Sequence, residues 1–267
     1  MSKQIIGLTD WLGSVPGQVL LNWELSHFDD AVADVFGFHA LQLGLPELPA
    51  LRLNRMPHRW LALPSPAAVL TDSDTALPES SGAPEQPRVA LLTHSAALPF
   101  PESSLDLVVL PHTLELSQDP HSTLREVERV LVPEGKLLIS GLNPASLWGL
   151  RQQRAHWWRR LGVGELFLPD EGEFIGYWRL RDWLRLLGFE VESARFGCYR
   201  PAFDNARWME RCAWMEPVGA RWWPIFGASY FIVAVKRVRG MRMLEPSRKV
   251  RNPRANAPAV AVRREAD

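Results

Sequence analysis

The side chains in this sequence that could do chemistry are few. His112 and Glu115 follow the run Leu105-Asp106-Leu107-Val108-Val109-Leu110. A histidine just past the end of a buried strand is placed to take a proton from a substrate hydroxyl or amine. His112 is therefore the candidate catalytic base, and the plainer alternative is a packed or solvated rim residue. Asn143 follows a second apolar run and either lines the same rim or makes the turn in Asn143-Pro144. Cys198 and Cys212 are too few for a zinc site, so no metal is expected, and a cytoplasmic chain would keep both reduced.

Tryptophan and arginine are the other oddity. Nine of the 12 tryptophans fall between Trp148 and Trp223, which sets that stretch apart from the rest. The segment 147–161 has helical spacing and carries Trp148, Trp157 and Trp158 beside Arg151, Arg154, Arg159 and Arg160. Four readings stay open. It is a lid over a hydrophobic substrate, an interfacial membrane helix, a stacking surface for nucleic acid, or a helix that packs its tryptophans and exposes its arginines. The zero net charge also hides an asymmetry. Residues 1–100 hold five basic side chains against ten acidic, whereas 236–267 hold ten against three. With few apolar residues to pack, 241–267 reads as a solvated, disordered tail; the alternative is contact with nucleic acid or anionic lipid.

Elements that position these residues follow from periodicity. With 22% charged and 46% hydrophobic residues, 267 in all, the chain can bury a core without staples. No apolar run is long enough to span a bilayer and the first residues lack a signal peptide's apolar region, so the expected compartment is the cytoplasm. Leu21, Leu25, Phe28, Val32 and Val35 predict a helix over 16–36, with Gly37 as its C′ glycine. Apolar runs at 38–43, 59–63, 88–92, 105–110, 136–140, 189–194 and 229–237 predict seven strands. Helices are expected near 122–131, 147–161, 179–187 and 204–215, with none between 216 and 229. Near-continuous apolar runs joined through a helix imply a parallel sheet. The expected domain covers 1–240: a helical lead-in at 1–37, a core at 38–143, then the Trp/Arg insertion and last strands at 144–240.

Leu98-Pro99-Phe100-Pro101-Glu102-Ser103-Ser104-Leu105-Asp106-Leu107-Val108-Val109 resembles one family. The resemblance continues through Leu114-Glu115, Asp119-Pro120, Leu124-Arg125-Glu126-Val127 and Arg129-Val130-Leu131-Val132-Pro133-Glu134-Gly135. Gly188-Phe189-Glu190-Val191 adds to it. The family is the class I S-adenosylmethionine-dependent methyltransferases, type 11 domain. It implies a doubly wound, mostly parallel sheet of seven strands with an antiparallel closing strand, and a ligand at the carboxyl ends of the strands.

That resemblance also assigns a cofactor site for S-adenosyl-L-methionine. The family's acid-and-glycine loop falls on Gln42-Leu43-Gly44-Leu45-Pro46-Glu47-Leu48, where one glycine survives and Pro46 has no N–H to donate. Its ribose acid falls on Leu63, near Ser65, and its adenine-side aspartate on His94, beside Ser95. With Pro111 at the end of the fourth strand, Gln42, Gly44, Leu45, Leu63, Ser65, His94 and Ser95 are the candidate cofactor-binding residues. The implied function is methyl transfer to an unidentified, small-molecule acceptor. The alternative is a non-catalytic methyltransferase-fold scaffold or RNA-associated module.

Overall fold

The computed structural model describes residues 7–64, 89–160, 167–169, 172–201, 203 and 205–237. Two helices lead in, α1 (Leu8–Leu12) and α2 (Val15–Ala33). Then come β1 (His39–Leu43), β2 (His58–Leu63), β3 (Val89–Leu92), β4 (Leu105–Pro111), α3 (Thr113–Leu116), α4 (Pro120–Val130) and β5 (Leu131–Leu142). The chain continues through α5 (Leu147–Arg160), α6 (Tyr177–Leu186), β6 (Phe189–Gly197), α7 (Ala206–Arg211), α8 (Met215–Trp222), a short 3-10 turn at Pro224–Phe226, and β7 (Ser229–Lys236). Ser65 and the expected basic tail at 241–267 lie outside the described residues.

All seven expected strands form one sheet, in the order β3-β2-β1-β4-β5-β7-β6. Neighbours pair in parallel except β7, which runs antiparallel to both β5 and β6. The sheet is doubly wound. One face packs α1, α2 and Trp148 of α5 through Trp11, Leu20, Phe28 and Val32. The other packs α4 and α6 through Leu124, Val127, Leu180 and Leu184. The central strands are buried on both sides, which explains why their sequences run apolar instead of alternating.

The family-like motifs turn out to be joints. Asp119 caps α4, accepting from the backbone N–H of His121 and Ser122, and Pro120 fills the first helical position. Glu126 accepts the Leu98 N–H at 2.9 Å, while Arg129 donates to the carbonyls of Leu98 and Phe100 and to Glu126. That pair holds the Leu98-Pro99-Phe100 turn against α4. Asp106 accepts the N–H groups of Phe38 and His39 at 2.8 and 2.9 Å, tying the start of β1 to β4.

Three local expectations change. The lead-in helix ends at Ala33, so Gly37 is not its C′ glycine. A Cβ on Gly37 would sit 2.5 Å from the Asp106 side chain, so the glycine makes room for that carboxylate. The segment expected to be free of helix after 216 holds most of α8 and the 3-10 turn, where Pro217 and Pro224 break periodicity but suit first turns. Residues 204–215 hold only the short α7 and the start of α8.

Replacing Asp106 by alanine leaves two backbone donors without their acceptor. It should destabilise the fold by about 1–2 kcal/mol, at the lower end of the penalty because both amides are near solvent. Urea denaturation checks this, with Asp106→Asn losing less than Asp106→Ala.

Candidate functional site

A cleft of about 280 Å³ opens at the carboxyl ends of β1 to β4, close to the lower bound of roughly 300 Å³ for small-molecule pockets. Gly44, Leu45, Pro64, His94, Ser95, Pro111 and Thr113 are among its walls. Of the candidate cofactor residues, Gly44, Leu45, His94, Ser95 and Pro111 therefore meet there. Gln42 and Leu63 are buried behind the wall. Gly44 takes a left-handed backbone at φ 75°, and Leu45 follows at φ 43°, costly for a residue with a Cβ. The loop keeps this shape because Gln42 holds it. Its amide nitrogen shares its two hydrogens among the carbonyls of Gly44, Leu45 and Leu48, at 3.2, 3.0 and 2.8 Å. Its oxygen accepts the Ala50 N–H at 3.0 Å, which fixes the orientation of the amide. Leu45 and Leu48 then bury in the core.

On the opposite wall, His94 Nδ1 accepts the Ala96 N–H at 3.3 Å, so a neutral ring carries its proton on Nε2. That nitrogen is a donor where the family's aspartate is an acceptor. Ser95 shares Thr123 with Ser117, at 3.0 and 2.9 Å. Thr113 donates to the Leu43 carbonyl and closes the floor between β1 and β4.

His112 lies elsewhere. It is fully buried, lines no part of the cleft, and has both ring nitrogens engaged. Nδ1 meets Glu115 at 2.8 Å and Nε2 meets Glu24 of α2 at 3.0 Å. Ser229 and Ser140 donate to Glu24 at 2.8 and 3.2 Å, and Glu115 also accepts the Leu142 N–H. Burial alone would discharge the imidazole, but the fields of Glu24 and Glu115 outweigh it and push its pKa up to about 10. Burial likewise raises the Glu115 pKa, against the pull of His112. At neutral pH His112 is an imidazolium with each ring nitrogen on a glutamate oxygen, and it has no lone pair to accept a substrate proton.

Residues 60–139 match the family described as a methyltransferase domain. Over 100 residues the chain is 42% identical to the Escherichia coli (strain K12) protein YafS, described as uncharacterized; the match takes in 37% of this chain and 39% of that one. Two solved structures share the fold. One is the methyltransferase in complex with the Trm112 activator of Haloferax volcanii, with 17% identity and a TM-score of 0.55 over 84% of this chain and 93% of that one. The other is a SAM-dependent methyltransferase from Thermotoga maritima, with 16% identity and a TM-score of 0.54 over 82% and 92%. Residues 60–139 thus resemble a methyltransferase domain, and the chain as a whole shares the fold of those two structures.

The Trp/Arg helix is no lid in the structure described: none of the described residues of α5 lines the cleft. Trp148 is wholly buried, edge-on to Trp11 and Phe167 at 5.9 and 5.7 Å, and Arg151 lies 4.3 Å over the Phe167 ring. Asn143 is tied down by its amide, donating to the carbonyls of Ile225 and Gly227, so it braces the rim and faces no cleft. Glu24 was missed by the sequence reading. Its signal was there: Leu20, Glu24, Phe28 and Val32 recur every four residues, and this is the stripe that α2 buries. The apolar set at Leu21 and Leu25 sits one residue around the helix and is only partly covered.

Two outcomes follow. Because the folded His112 pKa exceeds its unfolded value of about 6.5, the stabilisation that the His112 proton contributes is whole below pH 6.5 and is lost as pH climbs through about 10. Urea midpoints should fall across that window, and His112→Asn should flatten the fall. Gln42→Ala should cost about 2 kcal/mol or more by stranding the Ala50 N–H and the loop carbonyls. Gln42→Glu, which restores the family's acid, should destabilise as well, because it aims a carboxylate at three carbonyl oxygens.

Proposed function

We propose that this domain binds S-adenosyl-L-methionine in the cleft over β1 to β4 and transfers its methyl group to a small acceptor. The observation that carries this is Gly44. Its bare Cα faces the cleft mouth, where a Cβ would meet nothing closer than the Thr113 hydroxyl at 3.5 Å, so a ligand can approach the backbone directly. The residues present fit the neutral edges of an adenosyl group. Gly44 and Leu45 would hold the amino-acid end, Pro64 the sugar, and His94 and Ser95 the base. When bound, the cofactor supplies an electrophilic methyl. The chain's own contribution is positional: a preset loop, a floor closed by Thr113, and apolar walls that keep water out. In an in-line displacement such placement supplies most of the rate. His112 is assigned a positioning role here. It holds the turn into α3, whose first residue is Thr113. With His94 Nδ1 engaged by the Ala96 N–H and its proton on Nε2, any proton the acceptor must lose would go to solvent.

One observation favours a second reading, a non-catalytic scaffold or RNA-associated module. No carboxylate is found among the described residues of the cleft wall, and Pro46 stands where the family has a second glycine. Calorimetric titration with S-adenosylmethionine and its demethylated product separates the two. Saturable binding that disappears in Gly44→Asn, a side chain that tolerates the left-handed backbone there, with the urea midpoint largely kept, supports the methyltransferase reading. No heat and no thermal shift at millimolar ligand would replace it with the scaffold.

A further inference from the structure

A second surface on the same end of the sheet has no part in the cleft. Gly197 of β6, Ser229 of β7 and Leu142 of β5 are register neighbours, so α5 and the β6–β7 connection leave the sheet side by side. Trp148 links them, donating its indole N–H to the Arg200 carbonyl at 2.7 Å. Along the connection Arg221-Trp222-Trp223-Pro224-Ile225-Phe226 is exposed at all six positions, with Trp222 73% and Phe226 54% accessible. Trp214 adds 62%. This is not chain fraying. Tyr199 donates to the Pro224 carbonyl at 2.6 Å, and Asn143 donates to those of Ile225 and Gly227 at 2.7 and 2.9 Å. The backbone is pinned from inside while its aromatic side chains stand in water.

Helix α5 repeats the pattern. Its inner face is Trp148 and Gln152, whose amide bonds the backbone of Phe167 and Leu168. Its outer face carries Leu147, Leu150, Arg151, Arg154 and Trp157, which line one shallow groove. Leu147, Leu150 and Trp157 are exposed there. A single exposed leucine is ordinary; a contiguous aromatic run beside an apolar helix face marks a contact surface.

We propose that this edge docks on an anionic membrane surface. Tryptophan beside arginine is the composition of a headgroup-depth contact, with the rings in the interface and the guanidinium groups on lipid phosphates. The charge agrees: residues 147–160 hold four arginines and no acid. Residues 203–226 are balanced, three arginines against three acids, so the attraction comes from α5. Apolar side chains spread over separate elements and interleaved with arginines suit a fluid surface that adapts to them. No helix among the described residues is long and apolar enough to cross a membrane, so this is lateral docking. The inference does not depend on the cleft holding a cofactor.

Sedimentation of the full chain with phosphatidylcholine vesicles, with and without phosphatidylglycerol, tests it. The expected result is binding that requires the anionic lipid, weakens with salt, and drops at least tenfold in Trp222→Ser/Trp223→Ser. Leu150→Ser should weaken it independently of that pair. Phe36→Ser/Phe38→Ser, which alters exposed phenylalanines near the start of β1, should leave it unchanged, and circular dichroism confirms that each variant is folded. Binding that survives Trp222→Ser/Trp223→Ser and Leu150→Ser overturns the proposal, as does no binding to anionic vesicles. Concentration-dependent self-association that the tryptophan pair abolishes, without vesicle binding, would make the edge a contact between copies.

Discussion

The buried Glu24–His112–Glu115 network is the constraint on which the arrangement of this domain depends. Three ionisable groups without water are tolerable only if each is paired and hydrogen-bonded, and here each is. Removing His112 would leave two buried glutamates without the ring they share, so the network locks together what its members belong to. Glu24 fixes α2 to the sheet, Ser140 and Ser229 bring in β5 and β7, and Glu115 reaches the end of β5. Gly141 must be glycine beside it, since a Cβ would lie 2.5 Å from the Tyr230 hydroxyl and 2.9 Å from Glu115. The network also sustains a strained turn. His112 sits at φ 52°, and that left-handed residue swings the chain from β4 into α3.

From that turn the carboxyl edge of the sheet divides into two regions of different character. Over β1 to β4 lies a small cleft walled by hydroxyls, an imidazole and apolar side chains. Over β5, β7 and β6 the chain builds outward, and the Glu115 carbonyl accepts the Glu173 N–H where the segment after α5 returns across it. Gly172, at φ 84°, passes there so closely that a Cβ would clash with that carbonyl. One residue thus anchors the cleft-side helix through its position in α3 and the Trp/Arg insertion through its backbone.

The fold was legible because its strongest signals are local. Central strands read as apolar runs, whereas the ends of α4 shift. The helix starts at Pro120 behind the Asp119 cap, and Pro133-Glu134-Gly135 falls inside β5, in the irregularity between its pairings at Leu131 and Lys136. The site was less so, for a physical reason. Gln42 reads as a ligand contact when it is compared with an acid in a family pattern, yet its partners are carbonyls two to six residues ahead that only the folded loop brings together. His112 reads as a rim base because its sequence neighbours are a strand end and Glu115, but the partner that closes its other ring nitrogen, Glu24, lies 88 residues away and reaches it only in the folded chain. An acid inside an apolar stripe, as at Glu24, is the kind of signal that marks such a network in advance.

The loop that follows Gln42 shows what the departure from the family pattern does to the site. A glycine-rich turn leaves its backbone groups for a ligand to satisfy, whereas here the Gln42 amide satisfies three carbonyls and the Ala50 N–H from within the chain. Leu45 and Leu48 bury in the core instead of leaving the loop open. Such a loop is ordered before any ligand arrives, so binding there carries little ordering cost. It also offers the ligand fewer backbone hydrogen bonds, since Pro46 has no N–H and three carbonyls are taken. Under the methyltransferase reading proposed above, affinity in this cleft would therefore rest on shape and apolar contact at Leu45, Pro64 and Pro111, with His94 and Ser95 setting orientation. On that reading, the shift from backbone recognition to surface complementarity makes the width of the turn at Gly44, not the missing acid, the feature on which occupancy of the cleft would depend.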